Sequence, residues 1–415
     1  MSNVLKIAAR NLLRYQRRTL LTSLLIVIGM VAVLLFMSVS GSFKAIMIGQ
    51  FTDSVLGHLE VHRKGYVAAI DALPLNLNMS PQAAVKVEEA LKQIGDVETW
   101  SPRLKFGAMF STFVETTSIR INGIDPQREA AALPLLSGRL GAGQKSGPLL
   151  AKGEIIVPAL LASGMKVKLG DTVVLVTTNR DGSVNGKNFT VRGIMEGLSG
   201  PGGRDGYVHI DDARELLRIP DAEVSEYVIR LKDMTHLNAV AKQLKQALEG
   251  LSNTEGKPLL EVHTWADLSP FANIARMIDV LTLFIKIMLV AIVLVSVMNV
   301  MIMAVYERIR EIGTISAIGT SPGKILSLFL CEGLMLGVAG TLVGSVISMI
   351  VIYALNIWKI SFVFGQQQTV VLSPSLGLGQ VVAIAGTVIV VAALASLQPA
   401  WKASRMDPIT ALRHV

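Results

Sequence analysis

Hydrophobic residues occur along this chain in four long runs, separated by segments of mixed character. A helix needs roughly 20 apolar residues to cross a hydrocarbon core of about 30 Å. Each run exceeds that length, and the four together carry only two charged residues, Lys286 and Glu332. The pattern therefore predicts four membrane-spanning helices, at Thr19–Phe43, Val280–Val305, Ile325–Trp358 and Ser375–Trp401.

The segment between the first and second runs has the pattern of a folded α/β domain. Alternating apolar and polar residues predict strands at 58–62, 118–124, 171–178, 188–194 and 226–231. Apolar residues three and four apart predict helices at 80–94 and 236–251. We expect a β-rich lobe inserted into an α/β lobe. The chain then divides into residues 1–48, with an amphipathic N-terminal helix and the first span, 49–272, the domain, and 273–415, the remaining spans.

Composition and charge support a membrane protein and orient it. A mean hydropathy of +0.52 with 17% charged residues is too apolar for a soluble domain of this size. The first run is also longer than the apolar region of a cleaved signal peptide. Lys and Arg in short flanks mark the cytoplasmic side. They cluster before the first span, between the second and third spans, and after the fourth.

This charge distribution predicts that both termini are cytoplasmic and that the α/β domain is extracytoplasmic, in the periplasm or outside the cell. The predicted fold class is a membrane protein with four transmembrane α-helices and a large, two-lobed α/β extracytoplasmic domain between the first and second. The net charge of +8 is explained by the cytoplasmic flanks, so a nucleic-acid partner is not needed.

Several motifs resemble catalytic or metal sites but depart from them. The segment GAGQKSG (141–147) lacks the Gly immediately before Lys that a phosphate-binding loop requires. His58, Glu60 and His62 alternate along a predicted strand, but no further His or Cys follows nearby. We expect a solvated strand face there and no metal site. The sequence contains no H-E-x-x-H or C-x-x-C motif, and its one cysteine, Cys331, excludes an intramolecular disulfide.

The third run carries two further features. Glu332 is an ionisable group inside a span, which is energetically costly and often functional. Because it lacks a second acid, and Lys286 lies near the opposite, external end of its own run, we predict a hydrogen bond to the bundle or to the cytoplasmic loop. Small residues at GxxxG spacing allow helices to approach closely. They predict a packing face, within the bundle or between protomers, formed by Gly333, Gly337, Gly340 and Gly344.

The second and third runs are separated by a charged segment, YERIREIGTISAIGTSPGKI (306–325). Charges three apart, Glu307 with Arg310 and Arg308 with Glu311, can pair along a helix, and isoleucines form an apolar stripe. We expect one continuous helix from Phe271 to about Ile318, stopped by Gly319. A plain polar loop does not need that stripe, so the segment predicts a helix that packs on a cytoplasmic partner.

The segment ERIREIGTISAIGTSPGKILSLFLCEGLMLGVAGTLVGSVIS resembles the C-terminal signature of the FtsX-like ABC transporter permeases, which include MacB efflux pumps and lipoprotein-releasing permeases. RNLLRYQRRTLLT (10–22) is similar to their entry helix. GMKVKLGDTVVL and FTVRGIMEG are similar to their extracytoplasmic core domain, and DPITALR (407–413) to their tail. The resemblance covers essentially the whole chain.

This resemblance implies a mechanotransmission permease in the cytoplasmic (inner) membrane, with a coupling helix near 307–319 that docks in a groove of an ABC ATPase. ATP and magnesium would bind to a dimer of that separate ATPase, and this chain would bind no cofactor and have no catalytic site of its own. The resemblance further implies a second permease copy or paralogue. The matching coupling positions are Glu307, Arg308, Arg310, Glu311, Ile312, Gly313, Ile315, Ala317, Ile318 and Gly319.

Three functions are compatible with the resemblance. The leading hypothesis is extraction of a lipid-anchored or amphipathic substrate from the outer leaflet, as in the lipoprotein-releasing branch, which GHLEVHRKGY (57–66) resembles. A MacB-like efflux permease working with a periplasmic adaptor or chaperone is the alternative within transport. An FtsX-like protein that signals to a cell-wall hydrolase is the alternative from another class.

Overall fold

The computed structural model describes residues 6–8, 10–11, 14, 16–141, 147–196, 205–219, 222–251, 258–364 and 368–413. Part of the predicted N-terminal amphipathic helix and most of the GAGQKSG segment lie outside these residues. Two compact units are present. The membrane unit comprises Met1–Ala45, Ala275–Phe362 and Val371–Val415, and the α/β unit comprises Ile46–Ile274 and Val363–Val370.

The α-helices, in chain order, are α1 (Gln16–Phe51), α2 (Pro81–Gln93), α3 (Pro126–Ala132), α4 (Ala159–Gly164), α5 (Ile210–Leu217), α6 (Leu237–Leu248), α7 (Trp265–Leu268), α8 (Phe271–Glu307), α9 (Ile309–Ala317), α10 (Pro322–Trp358), α11 (Leu378–Ser404) and α12 (Pro408–Arg413). A π-helical turn, Thr52–Leu56, follows α1. Short 3-10 helices lie at Val67–Ala72, Leu75–Leu77, Ser137–Arg139 and Met234–His236.

The strands are β1 (Leu59–Arg63), β2 (Val97–Ser111), β3 (Thr116–Ile124), β4 (Glu154–Pro158), β5 (Thr172–Thr178), β6 (Val184–Met195), β7 (Asp205–His209), β8 (Glu226–Leu231), β9 (Leu260–Thr264), β10 (Ser361–Phe364) and β11 (Gln368–Val371). The five strands and two helices predicted from the pattern of the α/β domain are all present. The longest strand, β2, was not predicted, because Pro102, Gly107 and two internal basic residues obscure its alternation.

Among the described residues, four helices are long and apolar enough to cross a membrane; three of them contain the first three predicted spans, and the fourth begins at Leu378, three residues after the predicted start of the last span. They are α1 with its π-helical turn, α8, α10 and α11. A helix is favoured there because hydrocarbon offers no hydrogen-bond partners, so every backbone polar group must be satisfied within the segment. The predicted four-helix membrane protein with an α/β domain after the first helix is therefore confirmed.

Strand β2 is shared by two parts of a nine-stranded sheet, ordered β3-β7-β4-β6-β5-β2-β8-β1-β9. Its first half pairs with β8, from Val97 to Arg103. Its second half pairs with β3 from Arg103 to Ser111, and its end also pairs with β5. Because β2 contacts both β3 and β5, six of the strands close into a ring. One strand thus connects two lobes, and Arg103 lies where they meet.

Each lobe has its own hydrophobic core. The ring of strands encloses side chains that alternate inward along β2, such as Phe106 and Phe110, with partners on the facing strands such as Phe189. The remaining strands, β8, β1 and β9, pack with α2 and α6 around a second core that includes Val87 and Leu244. Helix α2 begins after Ser80, whose hydroxyl caps it, with Pro81 at its first position. The domain therefore has the two lobes expected from the sequence, built on one continuous sheet.

The glycines of α10 lie at close contacts within the membrane unit. A Cβ added at Gly333 or Gly337 would lie 2.5 Å from Ser396 Cβ or 2.7 Å from Ala392 Cβ, both on α11. A Cβ added at Gly340 would lie 2.7 Å from Ile26 of α1, and one at Gly344 would lie 2.8 Å from Met30. Small residues allow such backbone approach. The structure thus divides these four positions between two neighbouring helices of the same chain.

Candidate coupling site

The charged segment between the second and third spans forms a separate helix, α9, and does not continue α8. Helix α8 ends at Glu307, and Arg308 has a non-helical backbone, with φ −112° and ψ 19°. The expected continuous helix from Phe271 to Ile318 is therefore wrong. The interruption turns Arg308 inward, where it pairs with a carboxylate that the sequence pattern did not associate with it.

The end of α9 was predicted correctly. Gly319 has a φ of +93°, in the left-handed region that glycine adopts without a steric penalty. Its amide donates to the carbonyl of Ser316, and the amide of Thr320 donates to the carbonyl of Ile315. These bonds satisfy carbonyls at the end of the helix, as in glycine-terminated helices generally. Helix α10 then begins with Pro322 at its first turn.

The ten predicted coupling residues separate into two faces. Arg308, Ile312 and Gly313 are buried in the membrane unit, where Ile312 joins its hydrophobic core. α9 also packs on the C-terminal helix α12. The other seven are exposed, and they are Glu307, Arg310, Glu311, Ile315, Ala317, Ile318 and Gly319.

Two isoleucines give the exposed face of α9 an apolar character. Ile315 is 41% exposed and Ile318 is 80% exposed. Arg310 and Glu311 lie about one helical turn before Ile315 and about two before Ile318. Glu311 Oε1 is 3.9 Å from Arg14 Nη1 of the N-terminal segment. A short amphipathic helix with one face held in the bundle and the other exposed is suited to bind a groove on another protein.

Glu332 accepts hydrogen bonds from two other segments of the membrane unit. Arg308 Nη1 donates to Glu332 Oε1 at 2.9 Å, and Asn11 Nδ2 donates to the same oxygen at 2.7 Å. Both charged side chains are buried, at 4% and 2% exposure. The predicted hydrogen bond from Glu332 to the bundle or cytoplasmic loop is thus present. The buried position of Arg308 was missed, because its i,i+3 spacing to Glu311 suggested a surface pair.

A second cluster of charged residues lies inside the α/β unit. His62 Nε2 is 3.2 Å from Glu60 Oε2 and 3.2 Å from Glu226 Oε2, and all three side chains are buried. The expected solvated strand face is therefore wrong. This face of β1 is covered, because the Tyr66 ring stacks on His62 with centroids 5.4 Å apart and Lys105 from β2 binds the same Glu226. His58 is separate from this cluster, since its Nδ1 accepts from the amide of Leu231.

This cluster contains the His and Glu side chains that could bind a metal among the described residues. However, Glu226 Oε1 also contacts Lys105 Nζ at 2.7 Å and Arg103 Nη1 at 3.1 Å. Arg103 in turn binds Glu129. Burial opposes protonation of His62, but its hydrogen bonds to Glu226 and Glu60 outweigh burial and raise its pKa to about 9. With a proton on His62, the cluster contains three cations, His62, Arg103 and Lys105, and three carboxylates, so its charges balance.

The pKa values of Glu226 and Lys105, two other residues of this buried cluster, follow from the same contacts. Burial disfavours the carboxylate of Glu226, but Lys105, His62 and Arg103 hold its pKa well below the usual range. Burial likewise disfavours the charged form of Lys105, and the nearby Glu226 and Glu60 reverse this and raise its pKa. One signal in the sequence could have indicated the cluster. The tetrapeptide LEVH occurs at 59–62 and again at 260–263, on the paired strands β1 and β9.

Comparison with known proteins identifies the family. Residues 19–247 match the MacB-like periplasmic core domain, and residues 283–408 match the FtsX-like permease C-terminal domain. The lipoprotein-releasing system transmembrane protein LolC of Neisseria meningitidis is 24% identical over 410 residues, which is 94% of this chain and 92% of that protein. The macrolide export ATP-binding/permease protein MacB of Syntrophobacter fumaroxidans is 36% identical over 147 residues, which is 34% of this chain and 18% of that protein.

Among solved structures, the periplasmic region of MacB from Actinobacillus actinomycetemcomitans aligns with 53% of this chain and 92% of its own, at 13% identity and a TM-score of 0.36. The two domain matches account for most of the α/β unit and for the last three spans with α9. The chain therefore belongs to the FtsX-like ABC transporter permeases that carry a MacB-like periplasmic core domain.

Proposed function

We propose that this protein is a permease subunit that uses ATP hydrolysis by a separate ATPase to release a lipid-anchored substrate from the outer leaflet of the cytoplasmic membrane. The observation that carries the proposal is the exposed face of α9. It presents Ile315 and Ile318 beside Arg310 and Glu311, directly after a membrane-spanning helix. An apolar surface framed by charges is typical of a protein-binding site.

The basic flanks of the spans support an orientation with both termini and α9 in the cytoplasm and the α/β unit on the other side. In that orientation α9 is available to an ATPase. ATP and magnesium would bind to the partner, as a dimer of ATPase subunits that closes on nucleotide. A second permease, either another copy or a paralogue, would complete the complex.

Helix α8 supports mechanical transmission. It is continuous for 37 residues, from Phe271 to Glu307. At 1.5 Å per residue, this helix is about 55 Å long, longer than the hydrocarbon core alone requires. Movement of α9 caused by ATPase closure would therefore reach α8, and α8 would carry it through the membrane. Such coupling requires a contiguous element with two arrangements.

Two observations support a lipid-anchored substrate. The similarity to LolC, a transmembrane protein of a lipoprotein-releasing system, extends over 94% of this chain. In addition, an apolar groove of about 420 Å³ lies between α1 and α8, lined by residues such as Phe36, Val39, Phe43 and Leu281. An acyl chain matches a groove of this polarity. Lys44 and Asp279, paired at 2.6 Å, lie next in sequence to the groove residues Phe43 and Ile278 and provide a polar border.

The test is reconstitution of the chain with its partner ATPase and any second permease in proteoliposomes that hold an acylated protein. We expect the acylated protein to remain bound without ATP and to be released with ATP and magnesium. Ile318→Glu should prevent ATPase binding, while Leu160→Glu, an equally drastic change at an exposed leucine of the α/β unit, should not. Stable ATPase binding by the Ile318→Glu variant would contradict the proposed docking face.

A second transport function is favoured by one observation. The identity to MacB over 147 residues, 36%, is higher than the identity to LolC. A MacB-like efflux permease would bind a periplasmic adaptor and move a soluble compound. The same reconstitution distinguishes the two functions, because an efflux permease would neither retain the acylated protein without ATP nor release it with ATP.

A further inference from the structure

The break at Arg308 gives the coupling region a jointed geometry. Helix α8 ends at Glu307 and α9 begins at Ile309, so a single residue with a non-helical backbone connects them. A single continuous helix across α8 and α9 would require Arg308 to have helical backbone angles as well. The two helices are therefore distinct bodies that can change their relative angle through the backbone of Arg308.

The side chain of the same residue is fixed. Its guanidinium is buried and bound to Glu332, in the third helical turn of α10, at 2.9 Å. A buried ion pair of this kind is retained because loss of one partner leaves the other charge without compensation. The non-helical residue between α8 and α9 is thus tied by its side chain to a neighbouring span.

Glu332 extends this connection to other helices. The same Oε1 atom accepts from Asn11 of the N-terminal segment. The next residue along α10, Gly333, contacts Ser396 of α11 so closely that a Cβ would not fit. A displacement of Glu332 would therefore be felt by the N-terminal segment and by α11 as well as by α8.

We propose that Arg308 and Glu332 form the pivot of the coupling mechanism, so that movement of α9 is distributed to α10 and α11 and is not passed along α8 alone. This inference rests on the proposed function of α9 as the ATPase-docking helix. Arg308 and Glu332 act as positioning residues, because neither is on the exposed face of α9.

The first test compares variants of the full complex in proteoliposomes, with substrate released per ATP hydrolysed as the readout. Glu332→Gln, which keeps the shape of the side chain, should bind the ATPase and hydrolyse ATP at a rate within about twofold of the unaltered complex, and Arg308→Glu is measured beside it as the reference for the charge-reversal pair. Substrate released per ATP should fall at least tenfold, because the movement of α9 is no longer transmitted to α10. The double variant Arg308→Glu with Glu332→Arg should recover at least a third of the lost coupling, since it restores the pair with reversed charges.

A merely structural role predicts a different result. ATPase binding, hydrolysis and release would then decline together, with an unchanged ratio of release to hydrolysis, and this outcome would overturn the proposal. Release per ATP within twofold of normal in Glu332→Gln would also overturn it.

A second measurement is independent of the ATPase. Spin labels at Met303 on α8 and Thr314 on α9, both exposed, report the angle across Arg308 after Cys331→Ser removes the native thiol. We expect a narrow distance distribution in the otherwise unaltered chain and a broad one in Glu332→Gln. Equal distributions would exclude the pivot. If the unaltered chain fails to bind any ATPase, the proposed function fails, while these distances still decide whether the joint exists.

Discussion

The imidazole of His62 on β1 lies 3.2 Å from the carboxylate of Glu226 on β8, in the interior of the α/β unit. The two residues are 164 positions apart and are brought opposite each other by the register of antiparallel strands. Lys105 and Arg103, from the strand on the other side of β8, contact the second oxygen of the same carboxylate. Glu226 therefore connects three strands and lies close to the residue where the two lobes share β2.

The raised pKa of His62 predicts a pH dependence of stability. Its folded-state pKa of about 9 exceeds its ordinary value of 6.5, so the folded protein binds this proton more tightly than the unfolded chain. The stabilisation is complete below about pH 6.5 and is lost as the pH rises through 9, on the order of 3 kcal/mol in all. Unfolding of the full chain in detergent from pH 6 to 10 measures it. His62→Gln should remove most of this dependence, and an unchanged slope would contradict the assignment.

Loss of the Glu226 carboxylate should be strongly destabilising. Glu226→Gln leaves the buried Lys105 and Arg103 without a shared counter-charge, and breaking a buried pair costs about 3–5 kcal/mol. Glu98→Gln is a matched control, since Glu98 pairs with Arg230 at 3.0 Å but is half exposed. We expect that change to cost less than about 1 kcal/mol. Hydrogen exchange of β1 and β8 reports the difference, and similar protection in both variants would argue against a stabilising cluster.

Helix packing at the α10 glycines gives a third prediction. Gly340→Leu should destabilise the membrane unit by about 1–3 kcal/mol, because the added side chain enters space that Ile26 of α1 occupies. Gly386→Leu on α11 is the control, since a Cβ there meets open space. Thermal unfolding in detergent should show a lower midpoint temperature for Gly340→Leu and an unchanged one for Gly386→Leu. Equal midpoints would mean that α1 and α10 do not pack closely at this position.

Changes at the exposed face of α9 should uncouple the ATPase without unfolding the chain. Glu311→Arg reverses a charge beside the exposed isoleucines, and Gly319→Val places a branched side chain at a φ of +93°. We expect both variants to insert normally into the membrane. The substrate-stimulated ATPase rate of the complex should fall at least tenfold in each. Gly323→Val serves as control, because that glycine has no close neighbour and no positive φ. Normal stimulation in both α9 variants would contradict the docking role.

The groove between α1 and α8 offers a test of the substrate class. Val39→Trp fills part of a space of about 420 Å³, which should reduce retention of an acylated protein at least fivefold. ATPase binding should be unaffected, because Val39 lies on α1 and not on the docking helix α9. Val346→Trp, at an exposed position of α10, is the matched control. Retention equal to that of the unaltered chain would show that acyl chains bind elsewhere.

Much of the architecture was predictable from local sequence patterns. The four spans follow from apolar run length, because a chain in hydrocarbon must satisfy its own backbone and does so by forming helices. The end of α9 follows from Gly319, whose conformational freedom is a property of one residue. The strands flanked by turns, such as β5 and β6, follow from an alternation that each strand displays independently of its neighbours.

The tertiary structure alone decided which residues share a site. Nothing near Arg308 in the sequence indicates that it turns inward to Glu332, 24 residues later, and breaks the helix between α8 and α9. Likewise, the pattern predicts a solvated His62, but strand register places Glu226 beside it and the Tyr66 ring covers it. Local pattern determines which elements form, because it acts through the backbone of each segment. Partner choice for a buried charge depends on which distant carboxylate the fold brings within 3 Å or so, and that is a property of packing.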